Sequence, residues 1–221
     1  MFRRKYPAAV GKTAVTKSIA LIRFVICAAV LVSVCFLHNP SSFADDAAAL
    51  EKLRGLGASV RTINVGQAPY VEIVIAADNW KGRDDDLAAL AQVTQPITLD
   101  LSRAALTTAG VGRLKGVSRL TKLHLAGATL SDDVLKQIGA IGSLKVLELD
   151  NATFDNASLA HLAGLKHLQS IMLSQSSIND AGLDHLATIK SLQLVMLLRS
   201  QVSDAAVIRL RQALPDASVV K

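Results

Sequence analysis

Residues 123–144 read LHLAGATLSDDVLKQIGAIGSL, and residues 171–192 read IMLSQSSINDAGLDHLATIKSL. Laid over each other, the two stretches put apolar side chains in the same columns. The pairs Leu99/Leu101, Leu123/Leu125, Leu147/Leu149, Ile171/Leu173 and Val195/Leu197 recur every 24 residues. Four further columns keep step: Leu106, Leu130, Phe154, Ile178, Val202; Val111, Leu135, Leu159, Leu183, Val207; Leu114, Ile138, Leu162, Leu186, Leu210; and Leu120, Leu144, Leu168, Leu192. Such a period marks a stacked repeat, in which one unit cannot bury its own apolar side and neighbours must supply the rest of the core.

Each column has a local meaning. The L-x-L pair is a short strand, whose alternate side chains point to opposite faces. Apolar residues three apart, such as Leu159, Leu162 and Leu165, are the buried stripe of a short helix. Between them stand Thr107, Ser131, Asp155, Asn179 and Ser203, all residue types that cap helix N-termini. Asp132, Asp180 and Asp204 follow, where negative charge suits the helix dipole. The unit is strand, turn, capped helix, return.

An irregular copy precedes these five. Ile73/Ile75, Trp80, Leu87 and Leu90 match the columns, but Ile75 to Leu101 is a step of 26, which places two extra residues near Lys81-Gly82-Arg83. Upstream, Ala47 to Leu56 reads as a helix and residues 59–65 and 70–76 as strands, so residues 45–70 are expected to cap the array. Residues 71–221 then form about six repeats, closing with Pro215 after the last helix and a partial strand at Val219.

The first 44 residues have a different composition. Six basic residues, Arg3, Arg4, Lys5, Lys12, Lys17 and Arg23, and no acidic ones lead toward the 14-residue apolar run Phe24 to Leu37. A membrane-spanning helix needs roughly 20 apolar residues, so this run fits a signal-peptide core better. Small residues at Ser42 and Ala44 place the expected cleavage after Ala44, with export as the destination, periplasmic or secreted. The alternative is an uncleaved anchor that extends the run back through Ile19 to Ile22.

Charge and cysteine usage exclude several classes. The net charge of +6 belongs to the leader; beyond residue 44, 18 basic residues face 18 acidic ones, so no general attraction to nucleic acid is expected. Both cysteines, Cys27 and Cys35, also lie in the leader, which removes disulfides, Cys-based metal sites and a cysteine nucleophile from the repeats. Aromatics are 4% of the chain, too few for a base-stacking platform.

The register also names the strand residues that face away from the helices. In the middle row Asp100, His124 and Glu148 are successive neighbours, a candidate metal or acid/base ladder for a small hydrolase. Farther along, Val146, Met172, Leu194, Met196 and Leu198 form an apolar patch, expected to bind a partner or a second copy, the alternative being that the chain's own C-terminus covers it. Met adapts well to irregular partner surfaces.

The two quoted stretches resemble the leucine-rich repeats of exported bacterial proteins: L-x-L, a small-residue turn, a Leu or β-branched residue, then Ser/Thr/Asn followed by Asp-Ala-Gly-Leu. The resemblance covers about residues 71–221. It implies a ribonuclease-inhibitor-like α/β solenoid, with a parallel sheet on the concave face and short α-helices on the convex face, working in protein–protein interaction. Two features depart from it: the turn column reads Ala104, Ala128, Ala152, Ser176, Ser200 where such families often place Asn or Cys, and Asp-Ala-Gly is intact only at Asp180-Ala181-Gly182. The reading is therefore a non-enzymatic binding module without cofactor or metal, holding a protein partner or a second copy, with no nucleic acid and no membrane span in the mature chain. The alternatives are the Asp100/His124/Glu148 hydrolase and a self-associating structural protein of the envelope.

Overall fold

The computed structural model describes residues 42–65, 68–104 and 107–221. The leader reading, Cys27, Cys35 and the column member Leu106 lie outside them. The described part begins with helix α1 (Ser42–Gly55), so the expected cleavage point after Ala44 falls in its first turn. Strands β1 (Ser59–Val65) and β2 (Ala68–Ala76) pair antiparallel, with Arg61 and Glu72 opposite one another and bridged at 3.0 Å.

From β2 onward every pairing is parallel. Strands β3 (Ile97–Arg103), β4 (Leu120–His124), β6 (Val146–Glu148), β8 (Ser170–Met172), β9 (Leu194–Met196) and β10 (Ser218–Val220) follow in chain order in one eight-stranded sheet. The two-residue strands β5 (Thr129–Leu130) and β7 (Thr153–Phe154) make a second, smaller ladder. Ile73, Leu99, Leu123, Leu147, Ile171, Val195 and Val219 are paired side by side across the large sheet. The period in the sequence is therefore a period in space. The 26-residue first step separates Ile73 from Leu99, and the pairing of β2 with β3 slips by one more residue between Val74 and Ala76.

One continuous core fills the space between the sheet and the segments returning behind it. Leu99, Leu123, Leu125, Leu147, Leu149, Ile171 and Leu173 meet Leu114, Leu135, Ile138, Leu159, Leu162 and Leu186 there, nearly all without solvent contact. Those returning segments are not uniformly α-helical. Helices α2 (Thr108–Arg113), α3 (Asp132–Gly139), α4 (Asp180–Leu186) and α5 (Asp204–Ala213) are α, whereas Asp84–Gln92 and Asn156–Gly164 are 3₁₀. This corrects the expectation of short α-helices throughout. Apolar residues at a strict spacing of three, as in Leu159, Leu162 and Leu165, stack on one side of a three-residue turn, so the burial pattern accepts either winding.

All five expected caps are in place. The side chains of Thr107, Ser131, Asp155, Asn179 and Ser203 accept from the backbone N–H of Gly110, Val134, Ala157, Gly182 and Ala206. After each strand the turn passes through the left-handed region at Gly127, Asn151, Gln175 and Arg199, again 24 residues apart. Glycine and asparagine take that conformation readily, whereas Gln175 and Arg199 do so at a cost of about 1 kcal/mol each. Without an asparagine ladder, the turns bond backbone to backbone: the N–H groups of Gly127, Asn151 and Gln175 donate to the carbonyls of Asp150, Ser174 and Leu198 one repeat on.

Candidate functional site

The sheet has two faces. Leu and Ile at the L-x-L positions point into the core, so the residues between them form the opposite, inner face in three rows. One row runs Glu72, Thr98, Lys122, Val146, Ser170, Leu194, Ser218, and the next Val74, Asp100, His124, Glu148, Met172, Met196, Val220. Parallel strands lie about 4.8 Å apart, so neighbours in a row touch.

The polar part of the middle row divides. His124 Nδ1 stands 2.8 Å from Glu148 Oε2, both side chains half-buried. Asp100, beside His124 in the register, turns the other way, and its Oδ1 accepts from the Ser102 backbone N–H at 2.9 Å. A short Asp side chain satisfies itself locally more easily than it reaches across a strand gap. No group of three His, Cys, Asp or Glu side chains among the described residues is placed to hold a metal ion. The three residues are adjacent without forming one constellation.

The apolar part assembles where the register places it. Val146, Met172, Leu194 and Met196 do cluster, with Leu198 packed against them, and the cluster is separate from the main core. It is not exposed. Relative exposure is 3% at Val146, 2% at Met172, 4% at Leu194 and 3% at Met196. The large hydrophobic side chains exposed among the described residues are instead Ile208 and Val220, at the far end of the array. The register identified which residues meet, but a residue's row does not report what lies over it.

No protein-family model matches the chain, and neither does any curated protein. Among solved structures it is similar to a leucine-rich-repeat protein of Leptospira interrogans, with a TM-score of 0.44 and 18% identity over 63% of this chain and 34% of that one. It is also similar to an internalin of Listeria monocytogenes, with a TM-score of 0.39 and 17% identity over 61% of this chain and 43% of that one. The chain thus spans less than half the length of either. Its own geometry settles the architecture: a 24-residue L-x-L period whose Leu and Ile residues pair side by side in one parallel sheet. The fold is a leucine-rich repeat.

What ties one leucine-rich repeat to the next, besides the core, is a set of polar clips that sequence reasoning read differently. The first helical position was assigned to the helix dipole. In the structure its side chain reaches into the following repeat. Asp84 accepts from Thr107 Oγ1 at 2.6 Å, Asn156 Oδ1 accepts from the Asn179 N–H at 2.9 Å, and Asp180 accepts from both the N–H and the hydroxyl of Ser203 at 2.7 Å. Asp132 accepts from Ser158 Oγ at 2.8 Å and stands 2.9 Å from His161 Nε2. A second set was missed: Ser143 and Ser191 donate to Leu120 and Leu168 at the foot of the preceding strand. The signal existed, since positions 84, 108, 132, 156, 180 and 204 are hydrogen-bonding residues without exception.

The clips make the array sensitive to acid. The Ser203 backbone N–H and hydroxyl hold the Asp180 carboxyl below its ordinary pKa of 3.8, and Ser158 with His161 do the same for Asp132. A depressed carboxyl contributes stability above its unfolded-state pKa, and that contribution is lost as pH falls through the folded value. The double substitution Asp132→Asn/Asp180→Asn is therefore expected to lower the melting temperature at pH 7 and to flatten its fall below pH 4. Parallel melting curves for wild type and variant across that range would contradict the assignment.

Proposed function

We propose that this leucine-rich repeat is an exported, non-enzymatic binding module that holds a protein partner on the concave face of its sheet. The observation that carries the reading is the inner-face cluster of Val146, Met172, Leu194, Met196 and Leu198, an apolar assembly that the main core does not need. Domain cores place their aliphatic side chains between layers, so an apolar cluster on the other side of the sheet, closed off from solvent, supports a face built to lie against another surface. Beside it the His124–Glu148 pair and Asp150 give the face a polar border, the usual surround of an apolar contact. Export is supported by the basic leader and short apolar run, and no helix among the described residues is long and apolar enough to cross a membrane.

The test is substitution on the face. Leu194→Ala/Met196→Ala is expected to leave the far-UV circular dichroism intact, because neither side chain belongs to the main core. Partner capture by the mature chain, followed by crosslinking in the native envelope, is expected to fall at least about tenfold, as truncation of buried anchors does. Undiminished capture by a folded variant would sink the reading.

A further inference from the structure

The junction after the first, irregular repeat is built differently from the later ones. Farther along, the column of Leu130, Phe154, Ile178 and Val202 is buried in the main core. In the irregular copy that column holds Trp80, which is only half-buried, and beside it opens a cavity of about 160 Å³. The floor of the cavity is aliphatic and buried, with Ile75 from β2, Leu101 from β3, and Leu87 and Val111 from the two segments returning behind them. Its rim is exposed at Ala77 and Thr107. A cavity of about 150 Å³ holds a benzene ring, so this one takes a group of that size.

Two side chains give the cavity a chemical preference. Gly82 packs against the indole of Trp80 so closely that a Cβ there would stand 2.2 Å from Cζ2, which keeps the ring beside the cavity. Three aspartates follow, and their charges are met unequally. Asp85 pairs with Arg113 at 2.5 Å and Asp86 with Lys52 at 2.9 Å. Asp84, the one that lines the cavity, is half-buried; its Oδ2 accepts from the Thr107 hydroxyl at 2.6 Å, and it forms no ion pair among the described residues. Its Oδ1 lies over Gly110, where a Cβ would be only 2.7 Å away. A carboxylate beside an indole favours an organic ammonium, through its charge and through the electron-rich face of the ring.

We propose that this cavity binds a small organic ammonium, whose apolar group enters the cavity while its charged head stays at the rim between Asp84 and Trp80. The arrangement of the lining decides the source of that ammonium. The carboxylate stands at the mouth beside exposed Thr107, and the floor is aliphatic. A lysine side chain of a partner, entering head first, would carry its charge into apolar surroundings and lose its hydration. A free amine bearing a ring or a branched alkyl group enters tail first. The site lies on the core side of the sheet, so it goes beyond the inner-face reading and stands or falls without it.

Trp80 is the only tryptophan in the sequence, so its fluorescence reports on the site directly. Titration of the full chain with benzylammonium is expected to give a saturable change, with a Kd at least about tenfold lower than for the near-isosteric benzyl alcohol. Phenylacetate, with the charge reversed, and Nα-acetyllysine methylamide, which presents a lysine head, are expected to give none. Asp84→Asn keeps an oxygen for the Thr107 hydroxyl and is expected to bring benzylammonium down to the level of the alcohol. Ala104→Leu, placed to fill the cavity, is expected to abolish both responses, with melting curves verifying that each variant folds. Equal affinity for benzylammonium and benzyl alcohol would overturn the proposal, as would unchanged binding by a folded Asp84→Asn variant. A chain that gives no saturable change with any probe would overturn it too, the cavity then being closed by the protein itself.

Discussion

Leu147→Ala is expected to destabilise the protein by about 3–4 kcal/mol in urea unfolding, a large share of the 5–15 kcal/mol that holds a typical domain together. Leu147 has no solvent contact and sits in the middle of the sheet, between Leu123 and Ile171. Removing three methylene-scale groups there forfeits their transfer free energy and leaves a void that close-packed neighbours on both sides cannot fill. Position within the array sets the size of the effect. In a stack whose stability is a sum of repeats and interfaces, a central residue weakens two interfaces at once. Val219→Ala, at the end of the same row on the edge strand β10, borders one strand only and is expected to cost about 1 kcal/mol. Equal losses at the two positions would contradict the layered account of the core.

That account was almost wholly readable from the amino acids. Side-chain alternation in strands is strictly two, so once Leu123 and Leu125 are assigned inward, Lys122 and His124 must face out. The caps followed for a similar reason: Thr107, Ser131, Asp155, Asn179 and Ser203 each stand where an orphan N–H has to be satisfied. Rules that act between residues close in the chain survive translation into three dimensions, and the repeat multiplies each one.

What the residues did not disclose depends on contacts across repeats or above the sheet. Asp180 looks the same in sequence whether it serves its own helix dipole or clips Ser203, because both partners lie within a few ångströms of that position. Asp100 and His124 are register neighbours, yet the Ser102 N–H, two residues on, takes the carboxylate. Nearby backbone donors win over side chains across a strand because less rotamer freedom is lost in reaching them. The register assigned the Met172/Met196 row its members but left open whether it is covered, since burial is a property of the whole surface rather than of the row.

Gly139→Ala tests the packing behind the sheet, and two effects of opposite sign compete there. Gly139 ends α3, where replacing glycine by alanine favours an isolated helix by about 1 kcal/mol. In the folded chain a Cβ at that position would lie 2.1 Å from the carbonyl oxygen of His161 and 2.8 Å from its carbonyl carbon. These are backbone atoms of the neighbouring segment Asn156–Gly164, which has its own glycine against α3: a Cβ at Gly164 would sit 2.5 Å from the Gly139 carbonyl oxygen. Two adjacent repeats thus approach each other through paired glycines, and neither backbone can move aside without lifting Leu135, Ile138, Leu159 or Leu162 out of the core. Overpacking against a backbone that cannot yield costs about 3 kcal/mol, the upper end for inserted groups, and less the helix gain of about 1 kcal/mol this leaves an expected net loss of about 2 kcal/mol. Gly142→Ala, three residues later with open space around it, is expected to change stability by less than about 0.5 kcal/mol. A Gly139→Ala variant as stable as Gly142→Ala would mean that the segments behind the sheet stand farther apart than a leucine-rich repeat of this register requires.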